Sequence, residues 1–444
     1  MKKIAIATLG CKVNQFESAS FASSFVQAGC ELVPFSAGAD VYVINTCAVT
    51  GRAGQQSRQL IRRALKTSPG ARLIITGCYA QMAPQSILDL TEQPLCLVGN
   101  GNKHLVVASA LAEDSCDLAV LMDNVGQKKE IAPLPVTRFP DRTRAFLRIQ
   151  DGCNNFCSYC IVPYTRGRSR SLTLALVLEQ AAIFAGQAYR EIVITGINVG
   201  KYGLDLAEGE DLVSLLTRLC RNFPEIRFRL SSVEPTEVDD LLLTLLADQN
   251  NFMPHLHIPL QSGDDTVLRK MNRRYRAADF ARVVALVHQA VPHAAIGCDV
   301  LSGFPGETDQ AYENTHRLLA ELPATYLHVF PYSRRTGTLA ATMQDQVPTL
   351  VKEQRVHGLR ELDRRKRGDF HRCHLGSLQQ VLVERRNSKN GLLQGFSENY
   401  LPVLLAGPAR LEGTVVPVRL ERLEGDAVFG RAEQSHLEII PRTR

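Results

Sequence analysis

Short apolar runs alternate with amphipathic helical patterns through residues 1–115. The β-rich runs are at residues 4–9, 41–46 and 72–77, and helical patterns follow them at residues 17–28, 57–66 and 84–90. A further strand at 96–99 and a helix at 103–111 close this unit. Strands that alternate with helices in this way are typical of a parallel sheet covered on both faces. We therefore predict that residues 1–115 form a doubly wound α/β domain.

A second and larger alternation begins near residue 143. Six apolar runs predict strands, at residues 145–150, 191–195, 227–232, 255–260, 295–301 and 326–331. Helical patterns occupy the gaps, among them those at residues 172–187, 211–221, 236–247 and 277–291. Six strand–helix units predict an open, partial (β/α)6 barrel with its active site at the C-terminal ends of the strands. We assign this domain to residues 143–372.

The two remaining segments differ from both α/β units. Residues 116–142 contain several prolines and are predicted to be a linker. From residue 373 to residue 444 the pattern is all-β, with strands predicted at residues 378–384, 399–405, 414–423 and 427–432. Glycines, among them Gly395, break the apolar alternation between these runs. A strand-only tail of this size predicts a small barrel of the OB type. Many such barrels bind nucleic acid, although the fold alone does not establish that function.

Cys153, Cys157 and Cys160 give the most specific chemical signal, because they form a C-x3-C-x2-C motif. A loop with this spacing can direct three thiolates onto one 4Fe–4S cluster and leave the fourth iron open. Electron-transfer clusters usually have four cysteine ligands, so an open iron implies a bound small molecule. A zinc loop or a disulfide is the alternative, but zinc requires a fourth ligand, and no Cys or His follows until Cys220. The spacing resembles the radical S-adenosylmethionine (SAM) superfamily, in which SAM binds that iron.

Three more cysteines follow predicted strands of the N-terminal domain. Cys11, Cys47 and Cys78 each stand just past the end of one strand. In an open α/β sheet this is where ligands bind, so these thiolates could converge although they are far apart in sequence. The alternative is that they pack as small hydrophobic residues.

Residues at the other strand ends of the barrel are candidate SAM ligands. Gly196 and Asn198 end the second strand, where carbonyls and an amide could hold the SAM amino group. Ser232 and Glu234 end the third strand, where a carboxylate suits a ribose or an ammonium group. The other candidates end the fourth and fifth strands or lie within the cysteine loop, and they are Gln261, Gly303 and Tyr159. Each glycine taken singly is more often a turn residue, and Tyr159 could shield a cluster instead of packing on the adenine.

Composition indicates a cytoplasmic protein. Twelve cysteines in 444 residues are too few for a disulfide scaffold, and reduced thiols suit that compartment. No apolar run approaches the roughly 20 residues of a membrane span, so no membrane partner is expected.

The formal charge of +6 is unevenly distributed along the chain, with basic runs within residues 51–72, 269–276 and 360–367. Two groups of basic residues are candidates for RNA binding. One cluster would share a helix face and the other flanks the cysteine loop, which gives these candidate RNA contacts: Arg58, Arg62, Lys66, Arg166, Arg168 and Arg170. A solvated face is an equally good interpretation of the helix. It explains the loop less well, because the loop lies beside the proposed active site.

Three motifs of the N-terminal domain resemble those of the methylthiotransferase family. They are Leu-Gly-Cys11-Lys-Val-Asn, Asn-Thr-Cys47-Ala-Val-Thr and Thr-Gly-Cys78-Tyr-Ala-Gln, and the radical SAM core and a TRAM-type domain follow in the family order. The Cys11-Lys-Val-Asn14 motif is similar to the MtaB-type branch, which acts on N6-threonylcarbamoyladenosine at position 37 of tRNA. The branches that act on isopentenyladenosine 37 or on an aspartate of a ribosomal protein are the alternatives.

The resemblance implies an enzyme that replaces the hydrogen on carbon 2 of the adenine by a methylthio group. It implies two 4Fe–4S clusters, one on each cysteine triplet, and two SAM molecules, of which one donates a methyl group and one is cleaved reductively. The implied partners are a tRNA anticodon stem-loop, an electron donor such as flavodoxin or ferredoxin, and a sulfur source. An RNA-binding iron–sulfur protein is the non-enzyme alternative.

Overall fold

The N-terminal part of the chain forms one parallel six-stranded sheet. The computed structural model describes residues 1–112, 119–140, 142–207, 209–388 and 390–433. The strands of this sheet are β1 (Lys3–Thr8), β2 (Glu31–Leu32), β3 (Val41–Thr46), β4 (Arg72–Gly77), β5 (Leu95–Val98) and β6 (Ala119–Leu121). The helices are α1 (Lys12–Gln27), α2 (Gly51–Thr67), α3 (Cys78–Met82), α4 (Pro84–Leu88) and α5 (Val106–Leu111). The order β2-β1-β3-β4-β5-β6, parallel throughout, confirms the doubly wound prediction.

The segment predicted as a linker is part of the packed structure. The predicted boundary at residue 115 lies outside the described residues, and β6 pairs with β5 from within the segment 116–142. Val136 and Phe139 of the same segment are buried. The Phe139 ring lies 6.5 Å from that of Phe16 in α1 and 5.5 Å from that of Phe146 in the next domain, measured between centroids. The prolines suggested a spacer, but the apolar residues between them join the two domains through one hydrophobic core.

The central domain contains six parallel strands in chain order and one short antiparallel pair. Its strands are β7 (Arg144–Arg148), β8 (Gln150–Asp151), β9 (Arg170–Ser171), β10 (Glu191–Thr195), β11 (Arg227–Leu230), β12 (His255–His257), β13 (Ala295–Ser302) and β14 (Tyr326–Pro331), and β8 and β9 form the antiparallel pair. Its helices are α6 (Val162–Arg166), α7 (Leu174–Gly186), α8 (Leu212–Asn222), α9 (Asp240–Asp248), α10 (Asp265–Lys270), α11 (Ala277–Ala290), α12 (Asp309–Glu321) and α13 (Thr349–Cys373).

Six of these strands form the predicted partial barrel. β7, β10 and β11 form one sheet, and β12, β13 and β14 form a second. Backbone bridges from Phe228 to Phe252 and from Ser232 to His257 connect the two sheets. β7 and β14 are the outer edges, and α1 of the N-terminal domain packs against β7. The N-terminal domain therefore covers the open side of the barrel next to β7.

The C-terminal domain is a closed five-stranded barrel, as predicted. Its strands are β15 (Leu378–Arg386), β16 (Leu393–Phe396), β17 (Pro402–Leu405), β18 (Val415–Glu424) and β19 (Ala427–Ala432), in the order β15-β16-β17-β19-β18. β16 was not predicted from the sequence, because Gly395 suggested a break between strands. A Cβ at Gly395 would collide with the carbonyl oxygen of Leu382 on β15, so glycine permits the close strand approach here. Within the described part of the chain, no helix is long and apolar enough to cross a membrane.

Candidate active site

The C-x3-C-x2-C loop begins at the C-terminal end of β8 and folds back on itself. Gly152 has a φ of +76° and permits the sharp entry turn. The amide of Cys153 then donates to the carbonyl of Gly167 at 3.1 Å. Asn272 holds the tip of the loop, because its amide donates to the carbonyls of Asn155 and Phe156 at 3.2 and 3.0 Å. These contacts fix the backbone that carries the three thiols.

The three thiols of this loop are close enough to interact, and their surroundings favour the protonated thiol over the thiolate. Burial raises the pKa of Cys160 to about 12, and the neighbouring Cys157 and Cys153 add to the effect. The positive charge of Arg273 opposes this rise in the pKa of Cys160. Nη1 of Arg273 also donates to Sγ of Cys157 at 3.3 Å. Three thiolates gathered in this way require cations to balance them. Soft thiolate ligands favour iron–sulfur clusters, so the loop fits the cluster that the motif predicts.

The loop after β10 is held against the cysteine loop by a residue that sequence analysis missed. Oε1 of the buried Gln150 accepts the amides of Ile197 and Asn198 at 3.0 and 2.8 Å. Nε2 of Gln150 donates to the carbonyl of Gly152 at 2.7 Å. A glutamine directly before the Asp-Gly-Cys sequence was the signal that could have identified it.

Asn198 and Gly196 occupy the predicted position beside the cysteine loop. The side-chain amide nitrogen of Asn198 is buried, and among the described residues it has no hydrogen-bond partner. Burial raises the pKa of Cys153, and the Asn198 amide is near enough to that thiol to oppose the rise. Gly196 is also close-packed, because a Cβ there would lie 3.0 Å from Oε1 of Gln150. The Asn198 amide thus lies beside the Cys153 thiol, and its contact with SAM stays a prediction.

The remaining predicted SAM contacts are placed unevenly. Glu234 pairs with Arg273 beside Cys157, so it lies next to the cluster loop. Ser232 is exposed, and Gln261 adopts a φ of +66° at the end of the fourth strand. The structure brings Glu234 to the site but does not bring Ser232 or Gln261 into contact with the cysteine loop through any described hydrogen bond.

Gly303 and Tyr159 are more enclosed than the sequence suggested. The methylene groups of Lys352 cover Gly303 where a Cβ would stand, and the contact of Gly303 with SAM stays a prediction. The Tyr159 ring packs edge-on against Phe304, with 6.4 Å between ring centroids. This contact supports the shielding interpretation of Tyr159.

The second cysteine triplet converges at the switch point of the N-terminal sheet. β1 lies between β2 and β3, so the chain turns to opposite faces after β1 and after β3. Cys11 precedes α1, Cys47 follows β3 and Cys78 begins α3. A Cβ at Gly10 would lie 2.7 Å from Sγ of Cys47, which shows how closely the first two strand ends approach.

The three N-terminal thiols share one environment. Burial raises the pKa of Cys47 to about 11, and both Cys78 and Cys11 add to that rise. Cys11 is an exposed residue, but its thiol faces the protein, because burial raises the pKa of that thiol. Asn100 donates to Sγ of Cys78 at 3.7 Å. The set therefore fits a second three-thiolate site.

Comparison with known proteins identifies the family. Residues 3–99 match the family UPF0004, whose description is "uncharacterized protein family". Residues 147–319 match the radical SAM superfamily. The threonylcarbamoyladenosine tRNA methylthiotransferase MtaB of Bacillus subtilis (strain 168) is 36% identical over 95% of this chain and 94% of its own length. This chain belongs to the MtaB-type radical SAM methylthiotransferases. The MtaB of Aquifex aeolicus is also 36% identical to this chain. The match covers 91% of this chain and 97% of the Aquifex protein.

Solved structures agree with the fold of the methylthiotransferase. The radical SAM methyltransferase TsrM from Kitasatospora setae, with cobalamin and a [4Fe-4S] cluster bound, superposes with a TM-score of 0.56 at 16% identity and covers 77% of each chain. The same protein with tryptophan and a SAM analogue gives a TM-score of 0.54. The likeness confirms the arrangement of an α/β domain on a radical SAM barrel.

Arg166 of the methylthiotransferase is not on the surface. Its side chain is 1% exposed. Its guanidinium lies 3.1 Å from a carboxylate oxygen of Glu17 and 2.9 Å from one of Asp151, and it donates to Oδ1 of Asn14 at 2.5 Å. Glu17 is also paired with the buried Lys103. The predicted phosphate contact of Arg166 is wrong, because the arginine is used to join α1 to the barrel.

The other basic residues divide into buried and exposed sets. Arg170 is buried and donates to the carbonyl of Arg166 at 2.6 Å, so it also cannot reach a phosphate. Arg58 is half-buried and donates to the hydroxyl of Tyr79 at 2.6 Å. The predicted RNA contacts that remain exposed are Arg62, Lys66 and Arg168.

A basic groove that sequence analysis did not predict lies between the barrel and the C-terminal domain. It encloses about 770 Å³, with Arg360, Arg364 and Arg367 of α13 on one side and His328 and Phe330 of β14 on another. Pro402 and Asp426 of the C-terminal barrel complete its lining. The groove connects the exposed face of β14 to a positively charged helix.

Proposed function

We propose that this methylthiotransferase modifies carbon 2 of N6-threonylcarbamoyladenosine at position 37 of tRNA, with two 4Fe–4S clusters and two SAM molecules. The observation that carries the proposal is the pair of three-thiolate sites, each at the C-terminal ends of parallel strands and both beside the same domain junction. Relatives named threonylcarbamoyladenosine tRNA methylthiotransferase are 33% to 36% identical to this chain. A relative named tRNA-2-methylthio-N(6)-dimethylallyladenosine synthase is 32% identical over 96% of the chain, and its substrate is the main alternative.

The two cysteine triplets would hold the clusters, and the loop after β10 would hold SAM. When bound, the clusters and SAM supply the radical and sulfur-transfer chemistry that no side chain can provide at an unactivated aromatic C–H bond. The residues of this chain hold and orient these groups. Gln150 orients the backbone amides of the loop, and the buried Asn198 amide is directed at the cysteine loop.

The Arg166 contacts keep the two triplets in a fixed relation. Asn14 and Glu17 lie in the first two turns of α1, directly after Cys11. Asp151 and Arg166 bracket the cysteine loop of the barrel. Because buried charges hold these four residues together, the two thiolate sites cannot drift apart without exposing an unpaired charge.

The tRNA anticodon stem-loop would bind over the exposed cations and the groove beside α13. Phosphates are bound by Lys and Arg side chains without base specificity, which suits Arg62, Lys66 and Arg168 on the surface. The C-terminal barrel borders the groove through Pro402 and Asp426. An electron donor such as flavodoxin or ferredoxin and a sulfur source complete the proposed reaction.

Mass spectrometry of tRNA nucleosides tests the proposal directly. A deletion strain should lack the methylthio derivative of threonylcarbamoyladenosine and regain it when the gene is restored. In vitro, the reconstituted enzyme should convert a stem-loop that bears threonylcarbamoyladenosine. Conversion of an isopentenyladenosine stem-loop alone, or of a ribosomal protein alone, would assign the chain to one of the neighbouring branches. Tight tRNA binding with no product from any substrate would favour the non-enzyme alternative.

A further inference from the structure

The first turn of α1, where the N-terminal domain meets the barrel, carries a lysine that forms no ion pair with the described residues. Lys12 is the first residue of α1 and directly follows Cys11. Its side chain is accessible to solvent, yet the protein surrounds it, and the charges that act on it belong to Arg144, Arg229 and Asp299 of the barrel. Across the described ranges, its ammonium makes no hydrogen bond and no ion pair. Lys12 therefore lies in a concave site between the N-terminal triplet and the barrel strands.

The neighbouring arginines already have partners. Arg229 donates to the two carboxylate oxygens of Glu191 at 2.8 and 3.1 Å. Arg144 lies 2.7 Å from a carboxylate oxygen of Glu384. These two arginines are paired with carboxylates, whereas Lys12 forms no ion pair with any described residue.

The Asp299 carboxylate also has two partners, both of them histidines. It accepts from Nε2 of His257 at 2.8 Å and lies 3.5 Å from Nδ1 of His328. Side chains two residues apart share a face of a strand, so His328 and Phe330 of β14 lie on the same side. Both are exposed, with the His328 side chain at 49%. Asp299, which acts on Lys12, is thus in contact with the exposed imidazole of His328.

We propose that Lys12 binds the carboxylate of the threonyl group on the substrate base, with His328 as a second polar contact. This inference rests on the proposed function and names the residue that selects its substrate. A base in the site would displace water from the ammonium, and a charge without water or a partner is costly. A carboxylate removes that cost through a charge-assisted hydrogen bond, whereas an isopentenyl group would leave the lysine unpaired.

A backbone phosphate does not fit this lysine as well as a carboxylate on the base. Lys12 lies next to Cys11 and within reach of charges inside the barrel. The cations on the protein surface, such as Arg62 and Arg168, are at positions that a phosphate can reach. A group that extends from the modified base enters the same space as the base itself. The position of Lys12 thus matches a base substituent.

The test uses three anticodon stem-loops that differ only at base 37. One carries threonylcarbamoyladenosine, the second carries the same group with its carboxylate replaced by a carboxamide, and the third carries isopentenyladenosine. Binding to the anaerobically reconstituted enzyme is measured by fluorescence anisotropy, and KM and kcat are measured separately. Wild type is expected to bind the carboxylate form about tenfold or more tightly than the carboxamide, as for a hydrogen bond to a charged group.

Three variants test whether Lys12 causes the preference for the carboxylate stem-loop. Lys12→Met should bind the carboxylate stem-loop as weakly as wild type binds the carboxamide, with no change for the carboxamide itself. Lys12→Arg should retain most of the preference. Lys2→Met is the matched control, because Lys2 is exposed and lies just before β1, at the opposite end of that strand from Cys11. This control should behave as wild type.

Two results with Lys12→Met would overturn the assignment of Lys12. One is an unchanged carboxylate preference in Lys12→Met, and the other is an equal loss of affinity for all three stem-loops. If Lys12→Met loses iron, His328→Gln tests the same pocket and should reduce only the carboxylate preference. An absence of methylthio product from the threonylcarbamoyladenosine stem-loop with wild type would contradict the proposed function. Equal kcat/KM for carboxylate and carboxamide would contradict the Lys12 assignment alone.

Discussion

The two cysteine triplets reach similar chemistry by different structural routes. Cys153, Cys157 and Cys160 lie in one loop, so local backbone contacts are sufficient to gather them. Cys11, Cys47 and Cys78 come from three strand ends, and they meet only because the sheet order places β1, β3 and β4 side by side. A local site depends on its loop, whereas an assembled site depends on the packing of a whole domain. The two should therefore respond differently to the same kind of damage.

The largest expected effect comes from removal of either triplet. We expect about eight iron per chain in the anaerobically reconstituted wild type, because each cysteine-bound cube holds four. Alanine at Cys153, Cys157 and Cys160 should leave about half of that iron and abolish reductive SAM cleavage. Alanine at all three N-terminal cysteines should leave the same amount of iron but retain SAM cleavage. Zinc without iron under strict anaerobiosis would contradict both assignments.

Arg166→Met should separate the two sites through the domain junction. The change leaves Glu17 and Asp151 as buried carboxylates without their shared guanidinium, which costs about 3–5 kcal/mol in the free energy of unfolding. We expect the N-terminal triplet to lose iron on dilution while the loop triplet retains it. Urea unfolding and iron analysis measure the two effects.

Arg168→Met is the matched control for Arg166, because Arg168 is exposed two residues away and lies over the Phe156 ring. A change in unfolding free energy of about 0.5 kcal/mol or less is expected there. Equal effects of the two substitutions would show that the buried contacts of Arg166 do not hold the domains together.

Gln150→Met should act on the barrel site alone. It leaves the amides of Ile197 and Asn198 without their acceptor, so we expect about tenfold weaker SAM binding. Iron on the N-terminal triplet should not change. Gln127→Met is a control on an exposed glutamine. SAM binding is measured by isothermal titration calorimetry. If Gln150→Met bound SAM as tightly as wild type and Gln127→Met do, the positioning role of Gln150 would be contradicted.

The smallest effects are expected from the exposed cations. Removal of Arg62, Lys66 or Arg168 should each weaken tRNA binding and reduce the slope of log affinity against log salt by about one unit. Deletion of residues 377–444 should raise the tRNA concentration needed while leaving tRNA-independent SAM cleavage intact. Titrations of the stem-loop at several salt concentrations measure these changes. Unchanged affinity and slope throughout would remove these residues from the RNA-binding surface.

Much of this architecture could be predicted because its signals are local. The strands of both α/β domains follow from apolar runs of a few residues, and the loop triplet follows from one motif. The environment of Arg166 could not be predicted in this way. Its sequence neighbours Arg168 and Arg170 have the same side chain, and burial is decided by Glu17, which lies 149 residues earlier in the chain.

The other differences between prediction and structure have the same origin. Gln150 holds a loop through Asn198, which lies 48 residues later. Gly395 resembles a break until the opposing β15 backbone is known. Sequence patterns report what a residue prefers, and these positions depend on what approaches it from elsewhere in the fold.

One reaction tests most directly whether two different cysteine sites serve one active site. The variant with alanine at Cys11, Cys47 and Cys78 is incubated anaerobically with SAM, a reductant and the threonylcarbamoyladenosine stem-loop. Deoxyadenosine and methylthio nucleoside are then quantified in the same sample. We predict that 5′-deoxyadenosine forms, because the barrel site is intact, and that no methylthio nucleoside is detected. Methylthio nucleoside at the wild-type level would contradict the account, because the N-terminal cysteines would then be structural only.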